Sequence, residues 1–254
     1  MTAKTGDAPA KSAVQETVEI VKTVFYALLI ALVLRTFLLQ PFTIPSGSMK
    51  PNLLEGDYIV VTKWSYGYSR HSIPFSPPLF KGRLLEAAPR PGDIVVFRLP
   101  GEKKDLIKRV IGLPGDRIQV RGGVAFVNGQ ELKRVADGTG PADACPNGAV
   151  PVRYRETNTI GRSYETYDCG PGGDLDDTGV YVVPEGHYFF MGDNRDNSLD
   201  SRVPVEAGGV GYLPAENLIG RARIILVSWE NASLFKPWTW FLNARLGRFV
   251  HPLK

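Results

Sequence analysis

From Ile20 to Leu39 the chain reads IVKTVFYALLIALVLRTFLL, apolar around the whole helical circumference and interrupted by two cations, Lys22 and Arg35. Twenty such residues match the length a helix needs to cross a bilayer core of ~30 Å. The uncharged run Thr23–Leu34 alone is too short. The two cations stand roughly 20 Å apart along a helix axis, near the ends, where long stems carry their charges to the head groups. The pattern predicts a transmembrane helix over 18–40, ended at Pro41, after a polar tail at 1–17. A buried core helix and a cleaved secretory signal, with Ser46 and Ser48 as small residues at its exit, are the competing readings. All-round apolarity argues against the first, and the length of the run and the prolines beyond it argue against the second. Lys4, Lys11 and Lys22 outnumber Arg35 and Lys50, which places the tail on the cytoplasmic side. No second run of this length follows, so the remainder is expected outside the cytoplasmic membrane.

Beyond Pro41 the period changes. Short β-branched or aromatic runs at Asp57–Trp64, Asp93–Leu99, Arg117–Val120, Val124–Leu132, Val180–Pro184, His187–Gly192 and Arg221–Trp229 predict strands. Turn pairs separate them: Pro91-Gly92, Pro114-Gly115, Gly122-Gly123 and Asn128-Gly129. No helical pattern alternates with these strands, so an antiparallel, mainly β domain is expected rather than a parallel α/β sheet. Tyr66–Pro91, crowded with prolines, reads as a surface excursion. Residues 136–177 read as an irregular extension holding both cysteines, Cys145 and Cys169. A disulfide between them would staple it in an oxidising compartment, and two free thiols are the alternative. The segment Trp229–Lys254 mixes aromatic and basic residues. It suits either a membrane interface or packing into the domain.

Composition narrows the function. The 27 glycines and 20 prolines suit many turns. A charge of +4 carried by scattered basic residues gives no clustered face for nucleic acid. HExxH, GxSxG, the Walker loop and GxGxxG are absent. His71, His187 and His251 accompany no plausible Ser–Asp pair, and Ser233–Lys236 matches SxxK by spacing alone.

Three segments carry candidate chemistry. Pro41–Pro51, PFTIPSGSMKP, sets Ser46 and Ser48 around Gly47 at the membrane exit, though a linker has the same composition. In Asp105–Asp116, DLIKRVIGLPGD, strand alternation gives Lys108 a face in common with Leu106 and Val110. Burial there would lower its pKa. A shift from ~10.4 to about 8 amounts to roughly 3 kcal/mol, and the neutral amine could take a proton from a serine. A lysine reaching to solvent is the alternative. Phe190–Arg202, FMGDNRDNSLDSR, is either a solvated loop or an interlocked polar network.

Together, IPSGSMKP, KRVIGLPGD and GDNRDNSLDSR downstream of an N-terminal span resemble bacterial type I signal peptidase. Arg90–Phe97 and Leu213–Arg221 resemble further boxes of that family, in the same order along Leu39–Trp229. The resemblance implies a mainly β, antiparallel-sheet periplasmic domain behind one transmembrane helix, with residues 41–254 as the catalytic domain. It implies a membrane-bound serine endopeptidase that removes signal peptides from exported preproteins through a Ser-Lys dyad. Ser48 would be the nucleophile and Lys108 the general base. Ser46 and the Ser48 N–H would form the oxyanion hole. Ser198 would hydrogen-bond and orient the lysine, supported by an Asp200–Arg202 ion pair. Phe42, Ile44 and Ile107 would line shallow pockets for small side chains. It calls for no metal or cofactor, and for no nucleic acid. The implied location is the bacterial inner membrane, with the catalytic domain on the extracytoplasmic side. A membrane-tethered β-domain that binds peptides without cutting them is the other function weighed.

Overall fold

The structure is a computed structural model that describes residues 13–230 and 238–253. The tail cations Lys4 and Lys11, and the Ser233–Lys236 pair, lie outside the described residues. Helix α1 runs Ala13–Phe37, ~37 Å at 1.5 Å per residue. It begins five residues before the expected span and stops three before its expected end. Its apolar window is left uncovered by the rest of the chain, as befits a helix that anchors a protein in a membrane.

Pro41 does not end the helix. It lies inside the first strand, β1 (Leu39–Thr43), which continues the apolar run in extended form. Then follow β2 (Asp57–Thr62), β3 (Ile94–Arg98), β4 (Asp105–Gly112), β5 (Arg117–Arg121), β6 (Val124–Val127) and β7 (Gln130–Glu131). The extension supplies β8 (Lys133–Thr139), β9 (Val152–Thr157) and β10 (Ser163–Asp168). Last come β11 (Tyr181–Val182), β12 (His187–Met191), β13 (Leu213–Pro214), β14 (Leu218–Ser228) and β15 (His251–Pro252). The main sheet has the order β1-β2-β14-β3-β4-β12-β13, with β15 also on β14, and its pairings are antiparallel. A proline is tolerated in β1 because β1 is an edge strand.

The continuous apolar run of β3 reflects cover on both faces. Ile94 and Val96 enter one core cluster with Ile59, Val61 and Ile225. Val95 and Phe97 enter another with Val110, Phe190 and Leu218, as a period of two requires. A smaller sheet, β11-β5-β6-β7, closes a third cluster over Phe189 and Met191. Its β6–β7 hairpin turns at Asn128-Gly129, where φ is +54° and +80°, the left-handed pair a two-residue turn demands.

The extension differs from its expected irregularity. β8, β9 and β10 form an antiparallel three-stranded sheet of their own, and Cys145 and Cys169 are bridged. The Pro-rich excursion is anchored at its start, where Tyr66 is buried and its hydroxyl donates to Asp93 at 3.0 Å. The C-terminal aromatics divide: Trp229 packs edge-on against Tyr58 and Phe249, while Trp238 and Phe241 are exposed.

Candidate active site

Ser48 sits in a single turn of 3₁₀ helix, Gly47–Met49, directly after Ser46. Met49 is fully buried in the core and anchors this turn, leaving Ser48 half-buried beside a cleft of about 550 Å³. Ser46, Lys108 and Ser198 line the same cleft. Ser46 is exposed, and its side chain makes no capping bond to the turn.

Lys108 projects from the middle of β4. Its register partner on β3 is Val95, so its stem lies on the face of Leu106, Val110 and Phe97, and only 4% of the residue is exposed. Its Nζ lies 2.5 Å from Ser48 Oγ. Burial lowers its pKa to about 8, because an ammonium there loses its hydration. The neighbouring carboxylates Asp200 and Asp193 pull the other way, and the cations Arg202 and Lys104 assist burial.

Each of those carboxylates has its own arginine. Arg202 donates to both oxygens of Asp200 at 2.9 Å, and the Gly192 N–H adds a third bond at 2.9 Å. Burial alone would raise the Asp200 pKa, but this guanidinium and N–H hold it below the usual carboxylate range. Asp193 is forked by Arg109, with both bonds at 2.7 Å, and Arg109 lies over the Tyr164 ring. Neutralising the two carboxylates limits their hold on a protonated Lys108.

The polar run after β12 is therefore a buried network rather than a solvated loop. Asn194 is fully buried, and its N–H donates to the Ser48 carbonyl at 3.1 Å. Gly192 packs so closely that a β-carbon would stand 2.3 Å from Ser198 Oγ and 2.6 Å from the Ser48 carbonyl oxygen. The expected bond from Ser198 to Lys108 is not formed. Ser198 Oγ is buried and has no hydrogen-bond partner. Phe42, Ile44 and Ile107 come together in one cluster, with Ile44 buried and the other two partly so. Ile107 faces away from Lys108, on the opposite side of β4. Gly192, Asn194 and the Arg109–Asp193 pair join the site without having a role legible in the motifs. Their signal is the density of amide and carboxylate side chains directly after the apolar strand HYFFM.

The family model described as signal peptidase, peptidase S26, matches residues 17–229. The chain belongs to that family. A signal peptidase I of Rickettsia typhi is 42% identical over 247 residues, covering 90% of each chain. One from Rickettsia canadensis is 41% identical over 251 residues, covering 91% of this chain and 92% of that one. A crystal structure of a signal peptidase I from Enterococcus faecalis V583 is also similar, at 24% identity and a TM-score of 0.31, covering 53% of this chain and 97% of the other. As a member of the family, the chain is a serine endopeptidase, a hydrolase that removes signal peptides. Binding without cleavage is not favoured.

Proposed function

We propose that Ser48 is the nucleophile and Lys108 the general base of this signal peptidase. The observation that carries the reading is the 2.5 Å approach of Lys108 Nζ to Ser48 Oγ, on a lysine buried enough to lower its pKa to about 8. A serine hydroxyl is a weak nucleophile at neutral pH and needs a base within hydrogen-bond reach. Neutral Lys108 takes the Ser48 proton as Oγ attacks the scissile carbonyl. The same amine gives that proton to the leaving nitrogen, and an acyl-enzyme remains. A water then loses a proton to Lys108, attacks the ester and frees Ser48, as in the Ser-Lys variants of the serine triad.

The Ser48 N–H and the Ser46 hydroxyl stabilise the oxyanion. Support comes from the place of that N–H in the first turn of a helix, where it lacks an intrahelical acceptor, and from the Ser46 side chain, which is uncommitted to capping and lines the cleft. Such donors are worth about 2.7–4 kcal/mol each. Ser198 orients the lysine once substrate closes the cleft, and Arg202 holds Asp200 in its ion pair beneath. The edge strand β1 leads to the nucleophile, and an extended signal peptide adds to it by strand pairing. Phe42, Ile44 and Ile107 then shape shallow pockets that admit small side chains before the cleaved bond. Helix α1 spans the bacterial inner membrane from a cytoplasmic tail, and the sheets that follow it from Leu39 onward form the catalytic domain on the extracytoplasmic face.

Cleavage of a preprotein by the full chain in detergent tests this reading. Ser48→Ala and Lys108→Met are each expected to lower the rate by at least about 10³-fold, by analogy with loss of a triad member, with circular dichroism unchanged. Wild-type cleavage by either variant refutes the assignment.

A further inference from the structure

Two cysteine-bearing segments, outside the motifs that carry the family resemblance, close on the loop behind Ser48. On one side, the fully buried Ala144 offers its carbonyl oxygen to Asn194 Nδ2 at 2.7 Å and to Asn197 Nδ2 at 3.1 Å. Its neighbour Asp143 accepts a bond from Lys50, two residues past Ser48, at 3.0 Å. On the other side, the Cys169 N–H donates to Asp196 Oδ2 at 2.6 Å. The Tyr167 N–H donates to the Asp193 carbonyl at 2.8 Å, and the Tyr167 carbonyl accepts from the Arg195 N–H at 2.9 Å. The Cys145–Cys169 bridge joins the two sides. The bridge therefore closes a ring through Ala144, Asn194, Asp196 and back to Cys169. Asn194, inside that ring, donates its N–H to the Ser48 carbonyl at 3.1 Å and its Nδ2 to the Gly47 carbonyl at 3.3 Å.

We propose that the Cys145–Cys169 disulfide is a positioning element of the active site, clasping the 193–198 loop against the Ser48 turn, and that its reduction lowers turnover. The inference rests on the reading of Ser48 and Lys108 as the dyad. Without the bridge, the 142–145 side is held to the loop by two amide bonds to one carbonyl, and to the Ser48 turn by a Lys50 ion pair whose Asp143 side chain is 70% exposed. That pair is screened and weak. Misplacing reacting groups by ~1 Å costs about 10²-fold in rate, so a small slackening reaches the chemistry. Asn194 carries the clasp to the Ser48 turn, while Asp196, Asn197 and Ser198 of the same loop line the cleft, so the main effect falls on kcat with a smaller one on KM. Reduction by a dithiol passes two electrons and two protons to the bridge, giving two cysteine thiols and the cyclic disulfide of the reductant.

The test uses the full chain in detergent and a preprotein substrate. It compares the oxidised enzyme, the enzyme reduced with dithiothreitol until two thiols titrate, and Cys145→Ser/Cys169→Ser. Expected is a fall in kcat of at least threefold in both altered forms with a smaller change in KM, reversal on reoxidising the wild type, and a double variant indifferent to dithiothreitol. A reduced wild type that keeps kcat within threefold, or a loss confined to KM, overturns the proposal. If the double variant does not fold, reversible reduction of the wild type decides alone. Ser48→Ala run alongside separates the two claims, because its retention of cleavage would sink the dyad rather than the clasp.

Discussion

At the scale of the residue, the site turns on how Lys108 is kept close to neutrality among carboxylates. Burial lowers its pKa to about 8, and the two acids that would restore its charge, Asp200 and Asp193, are each spent on an arginine. The sequence showed that Lys108 could face inward, from alternation with Leu106 and Val110. It could not show the distance to Ser48, because those residues stand 60 positions apart and meet only when β4 and the Gly47–Met49 turn pack together. The arrangement has a cost in stability with a defined sign. The folded-state pKa lies below the ordinary 10.5, so between about 8 and 10.5 the unfolded chain binds more protons and stability rises with pH. Relative to Lys108→Met, the unfolding free energy of the wild type should gain about 3 kcal/mol on passing from below that window to above it, at 1.36 kcal/mol per unit. Urea unfolding of both proteins across that range checks this, and parallel curves would contradict it.

At the scale of the element, strands buried on one or both faces were legible, and strands with little apolar burial were not. β3, β12 and β14 announce themselves through β-branched and aromatic runs. β8 and β9 carry charges on exposed and half-buried positions, and of their seven and six residues only Glu156 is buried. Their order comes from backbone pairing and the disulfide, which leave no hydrophobic period to read. β1 was hidden for the opposite reason: its apolar residues extend those of α1, and Pro41 marks an edge strand rather than a helix end. The loop after β12 was ambiguous by composition, and the buried Arg109–Asp193 fork settles it as a network. That fork ties β4 to the loop. Asp193→Ala leaves Arg109 buried without its counter-charge, and should destabilise the domain by about 3–5 kcal/mol in denaturant unfolding. A loss below about 1 kcal/mol would show that water or another acid takes over.

At the scale of the whole molecule, one apolar helix leads into the main sheet with little slack. The Lys63 N–H donates to the Leu38 carbonyl at 3.1 Å, and the Tyr68 hydroxyl donates to that of Phe37 at 2.9 Å. Ser48 follows the end of the helix by 11 residues, which keeps the proposed dyad tied closely to the apolar helix. That order of parts, helix then serine then lysine then polar loop, was plain in the sequence. The bracing of the loop by the extension was not, because many of the extension's contacts are backbone carbonyls and amides that any residue supplies, and the buried Glu156–Arg195 pair joins residues 39 positions apart. The pH dependence of kcat/KM for preprotein cleavage by the full chain in detergent tests the central claim most directly. The rate should rise with pH, about tenfold per unit below an inflection near 8, and level off above it as Lys108 gives up its proton. A profile flat from about pH 6 upward, or one still climbing toward the ordinary lysine value of 10.5, would contradict it.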